Sequence, residues 1–456
     1  MKNTAKSLTS LYVLTSFLFL SPFSAIATSH AATNANAESA PKNIIMVVAD
    51  GMGPAYTTAY RYFKDDPKTP TIEQTVFDRH LKGLSSTYPA QVSGYVTDSA
   101  ASATALSTGI KSYNGAIGVD VNKQPLQTVL EWAKLQGKKT GVVVTSQINH
   151  ATPASYLAHN ESRQNYNAIA DSYIDDGIKA DIYLGGGWTY FIRDDRNLVN
   201  EFKQAGFHYI DTYDQLADLP SGKPVLGLFD KKGLPWALDD TNKHRLSKMT
   251  KAAVHQLADD KAHQKGFFLL VEASQIDWAG HGNDINSAMH EMDDLAKTIE
   301  YLEHFVEHHP DTIVILTADH STGGFTIAAN GVYQWKPDVL RTMKHSSGYI
   351  TKELLNLDIS ASSTQKLFNF ELTKEEVSLL QTAKDNATSE DEVNKRALDS
   401  AIKKVLDVRT NTGWTSGGHT AIDVPVYAFG KQSELFSGHQ DNTDIAKKIF
   451  SLMGKK

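Results

Sequence analysis

Six short runs of this chain are apolar or β-branched almost without interruption: residues 43–49, 140–145, 182–184, 267–271, 312–317 and 425–429. A strand with one wet face alternates apolar and polar positions. Runs that do not alternate predict strands covered on both faces, as in a parallel sheet. Between these runs the apolar spacing lengthens to three and four. Over 286–305, Met289, Met292, Leu295, Ile299, Leu302 and Phe305 share one helical stripe, which reads as core packing. Strand and helix alternate, so the expected fold class is α/β: a central, mainly parallel sheet sandwiched by helices. The triplet Gly185, Gly186, Gly187 reads as a loop.

One stretch, about 325–409, breaks this rhythm. It holds no strong central strand, a Trp335-Lys336-Pro337 turn, and polar helical patterns over 373–385 and 391–407. We expect an insertion near the active site, serving as a lid or a subunit contact rather than as a separate domain. The first 27 residues have the form of an export signal. Lys2 and Lys6 form a basic start, 11–20 is apolar, and Ala25-Ile26-Ala27 offers a small-x-small cleavage site. The apolar run is too short to span a bilayer, so no stable membrane anchor is expected. Residues 28–42 read as a flexible lead-in and 43–456 as the folded domain. Export places the protein in the periplasm or the medium.

Composition narrows the chemistry. The 456 residues carry a formal net charge of -7, which gives no reason to expect nucleic acid as a partner. There is no cysteine, which excludes a disulfide framework, a thiolate zinc site and a cysteine nucleophile. A transition-metal site must use carboxylates and some of the 17 histidines.

In open α/β sheets, ligands bind beyond the carboxyl ends of the strands, and suspicious residues collect there. The run NIIMVVAD ends in Asp50, before Gly51-Met52-Gly53. The run TIVILTAD ends in Asp319 and is followed at once by His320. In FFLLVEASQIDWAGH, Glu272 is followed by Asp277 and His281, whose spacing of four puts both on one side of a helical turn. His419 sits in the glycine-rich SGGHT. Each signal alone serves equally as a helix cap, a turn or a surface ion pair. Together they gather carboxylates and histidines at neighbouring strand ends, a donor mixture suited to catalytic zinc. Glu272 with a hydroxyl neighbour adds an oxygen-only set suited to magnesium. Ser99 opens an alanine-rich helical pattern, where free backbone N–H groups and the helix dipole favour a phosphate; the same pattern also fits a routine helix cap. No Ser-His-Asp arrangement presents itself, so a metal is the available means of activating its hydroxyl.

The run VTDSAASATALSTGIKSYNGAIGVD resembles the nucleophile segment of the alkaline phosphatases. ADGMG before it and HATPASYLAHNESR, VEASQIDWAGH, LTADHSTGG and SGGHT after it fall in that family's order, over essentially all of the chain after the signal. The resemblance implies that Ser99 is the phosphorylated nucleophile. It also implies one zinc on Asp277, His281 and His419, a second on Asp50, Asp319 and His320, and magnesium on Asp50, Thr152 and Glu272. Arg163 would clamp two phosphate oxygens with its planar fork. Two positions vary in the family: here they are His150 and Trp278, which bear on magnesium affinity and the grip on phosphate. The substrates implied are small phosphate monoesters and the assembly a homodimer. The rival readings are a phosphodiesterase or sulfatase of the same superfamily and a non-catalytic metal- or phosphate-binding protein. The formylglycine motif of sulfatases is absent, and a diesterase usually carries threonine as nucleophile.

Overall fold

The computed structural model describes residues 39–258, 265–385 and 392–455. The expected signal, 1–27, and residues 28–38 of the lead-in lie outside the described residues. At the centre of the unit formed by residues 40–456 lies a ten-stranded sheet. In chain order its strands are β1 (Asn43–Val48), β2 (Leu81–Ser86), β3 (Lys139–Gln147), β4 (Ile182–Gly186), β5 (His208–Ile210), β6 (Val225–Leu228), β7 (Phe267–Glu272), β8 (Thr312–Thr317), β9 (Val424–Gly430) and β10 (Gly438–Asp441). Across the sheet they run β10-β2-β9-β8-β1-β7-β3-β4-β6-β5. Every neighbouring pair is parallel except those that β9 makes with β2 and β8.

The unbroken apolar runs have the cause expected of them. In β1, Ile45 and Val47 join one hydrophobic core while Ile44, Met46 and Val48 join another on the opposite face. The helical stripe lies on Ile285–His308, whose Met289, Met292, Leu295, Ile299, Leu302 and Phe305 all enter the first core. The glycine triplet is a correction: β4 runs through Gly185 and Gly186, and only Gly187 lies beyond it. A side chain at Gly186 would collide with the Lys232 carbonyl, its Cβ only 1.6 Å away, so the strand needs glycine for a close backbone approach.

Between 325 and 409 the chain forms the helices Asp338–Thr342, Ser347–Leu355, Ala361–Phe368 and Lys374–Asp385, with Glu392–Thr410 after them. A short ribbon pairing Thr326–Ile327 with Thr412–Gly413 closes the base of this stretch. Its apolar side chains, Leu354, Phe368, Leu398 and Ile402 among them, belong to the same core as the helix Ile285–His308.

Candidate active site

Three adjacent parallel strands set the frame of the site. β1 lies between β7 and β8, with Val48 in register with Glu272 on one side and Thr317 on the other. Asp50, Glu272 and Asp319 therefore emerge together at the carboxyl end of the sheet's middle. Gly51 makes the crowding tolerable. It has φ +77, and a Cβ there would stand 2.6 Å from Cα of Asp277.

Three groups of donors come together here, all buried except the half-buried His419, with donor atoms within 4.8 Å of one another in each: Asp50, Asp319 and His320; Asp277, His320 and His419; and Asp50, His150 and Glu272. His281 closes on the second of these. Its Nε2 is 3.0 Å from His419 Nε2 and 3.4 Å from Asp277 Oδ2. As the spacing of four requires, Asp277 and His281 lie on the single helix Gln275–His281. The other ring nitrogens of His281 and His419 are held at 2.7 and 2.8 Å by the carbonyls of Gly417 and Thr97, which fixes how each ring faces the site.

Several buried polar atoms at this point have no hydrogen-bond partner: both oxygens of Asp50, Oδ2 of Asp319, Oε1 of Glu272, Oγ1 of Thr152 and Nδ1 of His150. Elsewhere in folded proteins such atoms are satisfied. Electrostatics adds to the cost. Burial, then repulsion from Asp319, Asp277 and Glu272, pushes Asp50 well above the carboxylate range. Burial pushes Glu272 up to about 7. Burial also works against the charge on Asp319, but His320 outweighs it and holds the carboxyl low. Burial, then Arg163, brings His150 down to about 3, so its ring is neutral. Convergent carboxylates with bare oxygens beside neutral imidazole are what bound cations require. The residues fit a multi-metal centre.

Ser99 is the first residue of the fully buried helix Ser99–Thr108, and its Oγ lies 3.1 Å from Nε2 of His320. The cap of that helix has a second task. Asp98 Oδ1 accepts from the amide of Ala101 at 2.9 Å, while its Oδ2 accepts from Arg163 Nη1 at 3.0 Å. The guanidinium is thereby held beside the helix start, with Nη2 3.4 Å from His150 Nε2. Trp278 meets the His150 ring edge to face, the centroids 5.9 Å apart. These contacts join Ser99, Arg163, His150 and Trp278 to the three donor groups, and Thr152 stands beside Glu272.

Four contributors were not singled out. Asp98 was visible only as a cap. Thr322 donates to Asp277 Oδ1 and stands 3.2 Å from His320 Nδ1, joining two donor groups through one hydroxyl. Ser146 and Ser274 both donate to Glu272 Oε2, at 3.2 and 2.7 Å, leaving its other oxygen free to face the cluster.

The model of the family described as alkaline phosphatase matches residues 41–454. Alkaline phosphatase 3 of Bacillus subtilis is 46% identical over 422 residues, covering 90% of this chain and 89% of that protein. A cold-active alkaline phosphatase from the psychrophile Shewanella sp. superposes with a TM-score of 0.85 at 49% identity, covering 91% of this chain and 100% of that one. A His-to-Glu variant of the TAB5 alkaline phosphatase, with Mg bound in its M3 site, superposes with a TM-score of 0.68 at 28% identity, covering 91% and 99%.

Proposed function

The chain belongs to the alkaline phosphatase family, and on that premise we propose that it hydrolyses phosphate monoesters to an alcohol and inorganic phosphate through a phosphoserine at Ser99. The observation that carries this reading is the hydroxyl of Ser99, at a helix start, 3.1 Å from Nε2 of a histidine that shares its cluster with two buried carboxylates.

In this reading Asp277, His281 and His419 hold one zinc, and Asp50, Asp319 and His320 a second. Asp50, Thr152 and Glu272 hold magnesium, with His150 near enough to add a nitrogen donor. When bound, the ions supply the positive charge that ionises the serine alcohol and a water and that eases departure of the leaving oxygen. Ser99 Oγ attacks phosphorus, the bond to the leaving oxygen breaks, and the alkoxide takes a proton from water. Water then attacks the phosphoserine, the Oγ–P bond breaks, and phosphate departs. Arg163, steadied by Asp98, offers two parallel N–H donors to the oxygens that do not react. The amides at the very start of Ser99–Thr108, ahead of those that Asp98 takes, would face the same charge.

Export to the periplasm or the medium agrees with the form of residues 1–27; among the described residues no helix is long and apolar enough to cross a membrane. A homodimer agrees with the exposed apolar side chains Val92, Tyr95 and Val96, next to the nucleophile segment.

The test combines elemental analysis with assays on a monoester, a diester and a sulfate ester. Chelation should abolish turnover of the monoester, and zinc with magnesium should restore it. Acid quenching during turnover of labelled monoester should trap the label on Ser99, and Ser99→Ala should keep its metals while losing about a thousandfold or more in kcat. Label on another residue, or one metal per chain at full activity, defeats the reading.

A further inference from the structure

The helix that bears Asp277 and His281 has a second flank, and a cavity of about 590 Å³ opens against it. Trp278 and Gly282 form the wall on the metal side, and Trp236 adds a second indole. The opposite wall comes from the helices Ser347–Leu355 and Glu392–Thr410. Lys352, Lys395, Arg396 and Lys403 line it, against the carboxylates Asp284 and Asp399. Those carboxylates are engaged locally: Asp399 pairs with Lys403, and Asp284 caps the next helix by accepting from Ser287. With Asp399 paired to Lys403, Lys352 and Arg396 outnumber the one remaining carboxylate, Asp284, so the cavity is net cationic; it has two indoles in its wall and is of the size that takes a small organic molecule. Aromatic faces and guanidinium or ammonium groups together recognise a flat ring that carries negative charge. Trp278 belongs to both places: it lines this cavity and packs against His150, which approaches Arg163.

We propose that this cavity holds the leaving group of preferred substrates, and that the class it selects is the nucleotide with a second phosphate, a ring-bearing monoester whose alcohol part is itself anionic. The proposal rests on the monoesterase reading of the neighbouring centre. It gives the 325–409 stretch a role in substrate choice, since Lys352 and Arg396 come from its two cavity-facing helices.

The test uses the full chain loaded with zinc and magnesium. Phosphate release is followed from adenosine 3′,5′-bisphosphate and from glycerol 2-phosphate, which has neither ring nor second anion. The double variant Lys352→Ala with Arg396→Ala should lower kcat/KM for the bisphosphate about tenfold, through KM, and leave glycerol phosphate within about twofold. Adenosine 5′-monophosphate should fall between the two, since it keeps the ring and loses one charge. Equal changes on all three substrates, or none on the bisphosphate, overturn the proposal. If the parent protein releases no phosphate from glycerol phosphate, the monoesterase reading fails on its own. Equilibrium dialysis of adenosine 3′,5′-bisphosphate then decides the cavity: binding that weakens about tenfold in the double variant supports it, and unchanged or absent binding overturns it.

Discussion

The hydroxyl of Ser102 donates to the backbone carbonyl of Asp319 at 2.6 Å, and so ties the helix that begins at Ser99 to the loop that carries Asp319 and His320. Asn442 in turn donates to Ser102 Oγ at 3.0 Å, and all three residues are buried. The distance from Ser99 to His320 is thus set by a bond one helical turn away from the reacting oxygen.

Ser102→Ala should leave a carbonyl and an amide buried without a partner, lowering stability by about 1–3 kcal/mol. It should also misplace Ser99 and reduce kcat about ten- to a hundredfold. Ser107 lies farther along the same helix and donates to the Ser155 carbonyl at 2.7 Å, away from the metal loop. Ser107→Ala should cost stability of the same order and leave kcat within about twofold. Denaturant midpoints and monoester kinetics on both variants check the contrast. A Ser102→Ala protein that is weakened but fully active would show that the bond only holds the helix in place.

Arg163 is held by Asp98 through one N–H of its fork, and the proposed clamp would use two of the remaining donors. Arg163→Lys keeps the charge and loses the second parallel donor. It should lower kcat/KM for a monoester about ten- to a hundredfold and weaken inhibition by inorganic phosphate. A diester offers one oxygen fewer and should suffer much less. Kinetics on the matched pair of esters are the measurement, and equal losses would place the residue elsewhere in the cycle.

Trp278 offers only an indole N–H, without charge, beside a neutral His150. Its ring is closely fitted: a Cβ on Gly233 would lie 2.3 Å from it. Trp278→Lys introduces a cation next to the phosphate clamp. It should tighten inhibition by inorganic phosphate about tenfold and lower kcat wherever product release limits turnover. Inhibition constants and kcat at alkaline pH with saturating magnesium check this. A variant that folds and binds its metals but leaves both quantities unchanged would reduce Trp278 to packing.

Asp407 gives a pH signature of stability. Burial pushes its carboxyl up to about 7, although it accepts from Trp414 Nε1 at 3.1 Å. The folded state then keeps a proton that the unfolded chain releases near pH 4. Stability contributed by this site is full below that pH, falls as pH rises towards 7, and stays low above it. Asp407→Asn keeps the acceptor for Trp414 and removes the charge. It should leave stability unchanged near pH 4 and raise it by on the order of 1–2 kcal/mol at pH 9. Denaturation at the two pH values checks the sign.

The parts legible in the sequence were those whose physics is local. β1, β3, β7 and β8 are buried on both faces, and composition alone marks them. β2 and β10 are half exposed, with the polar sequences LKGLSS and GHQD, and no periodicity betrayed them. β5 and β6 have three and four residues, too few to set a pattern. The carboxylates of the three donor groups stood out because strand ends concentrate them. Thr322 and Ser102 did not, since their partners Asp277 and Asp319 lie 45 and 217 residues away. A hydroxyl that works through a distant backbone or side chain leaves no mark on its own neighbours.

The donors of the site lie at different depths. Asp50, Asp319 and His320 have no accessible side-chain surface, whereas the His281 side chain is 42% exposed. Cations held by these two sets would answer to the medium on separate clocks. The outer one can leave by movement of His281 and of the glycine-bearing loop around His419. The inner one, with all three donors buried, would be released only by an opening at the ends of β1 and β8, which belongs to the slowest motions of a folded domain. Starved of metal, such a protein would fail in stages, losing turnover early while the inner ion stays behind. Resupply of the outer ion then restores activity without refolding.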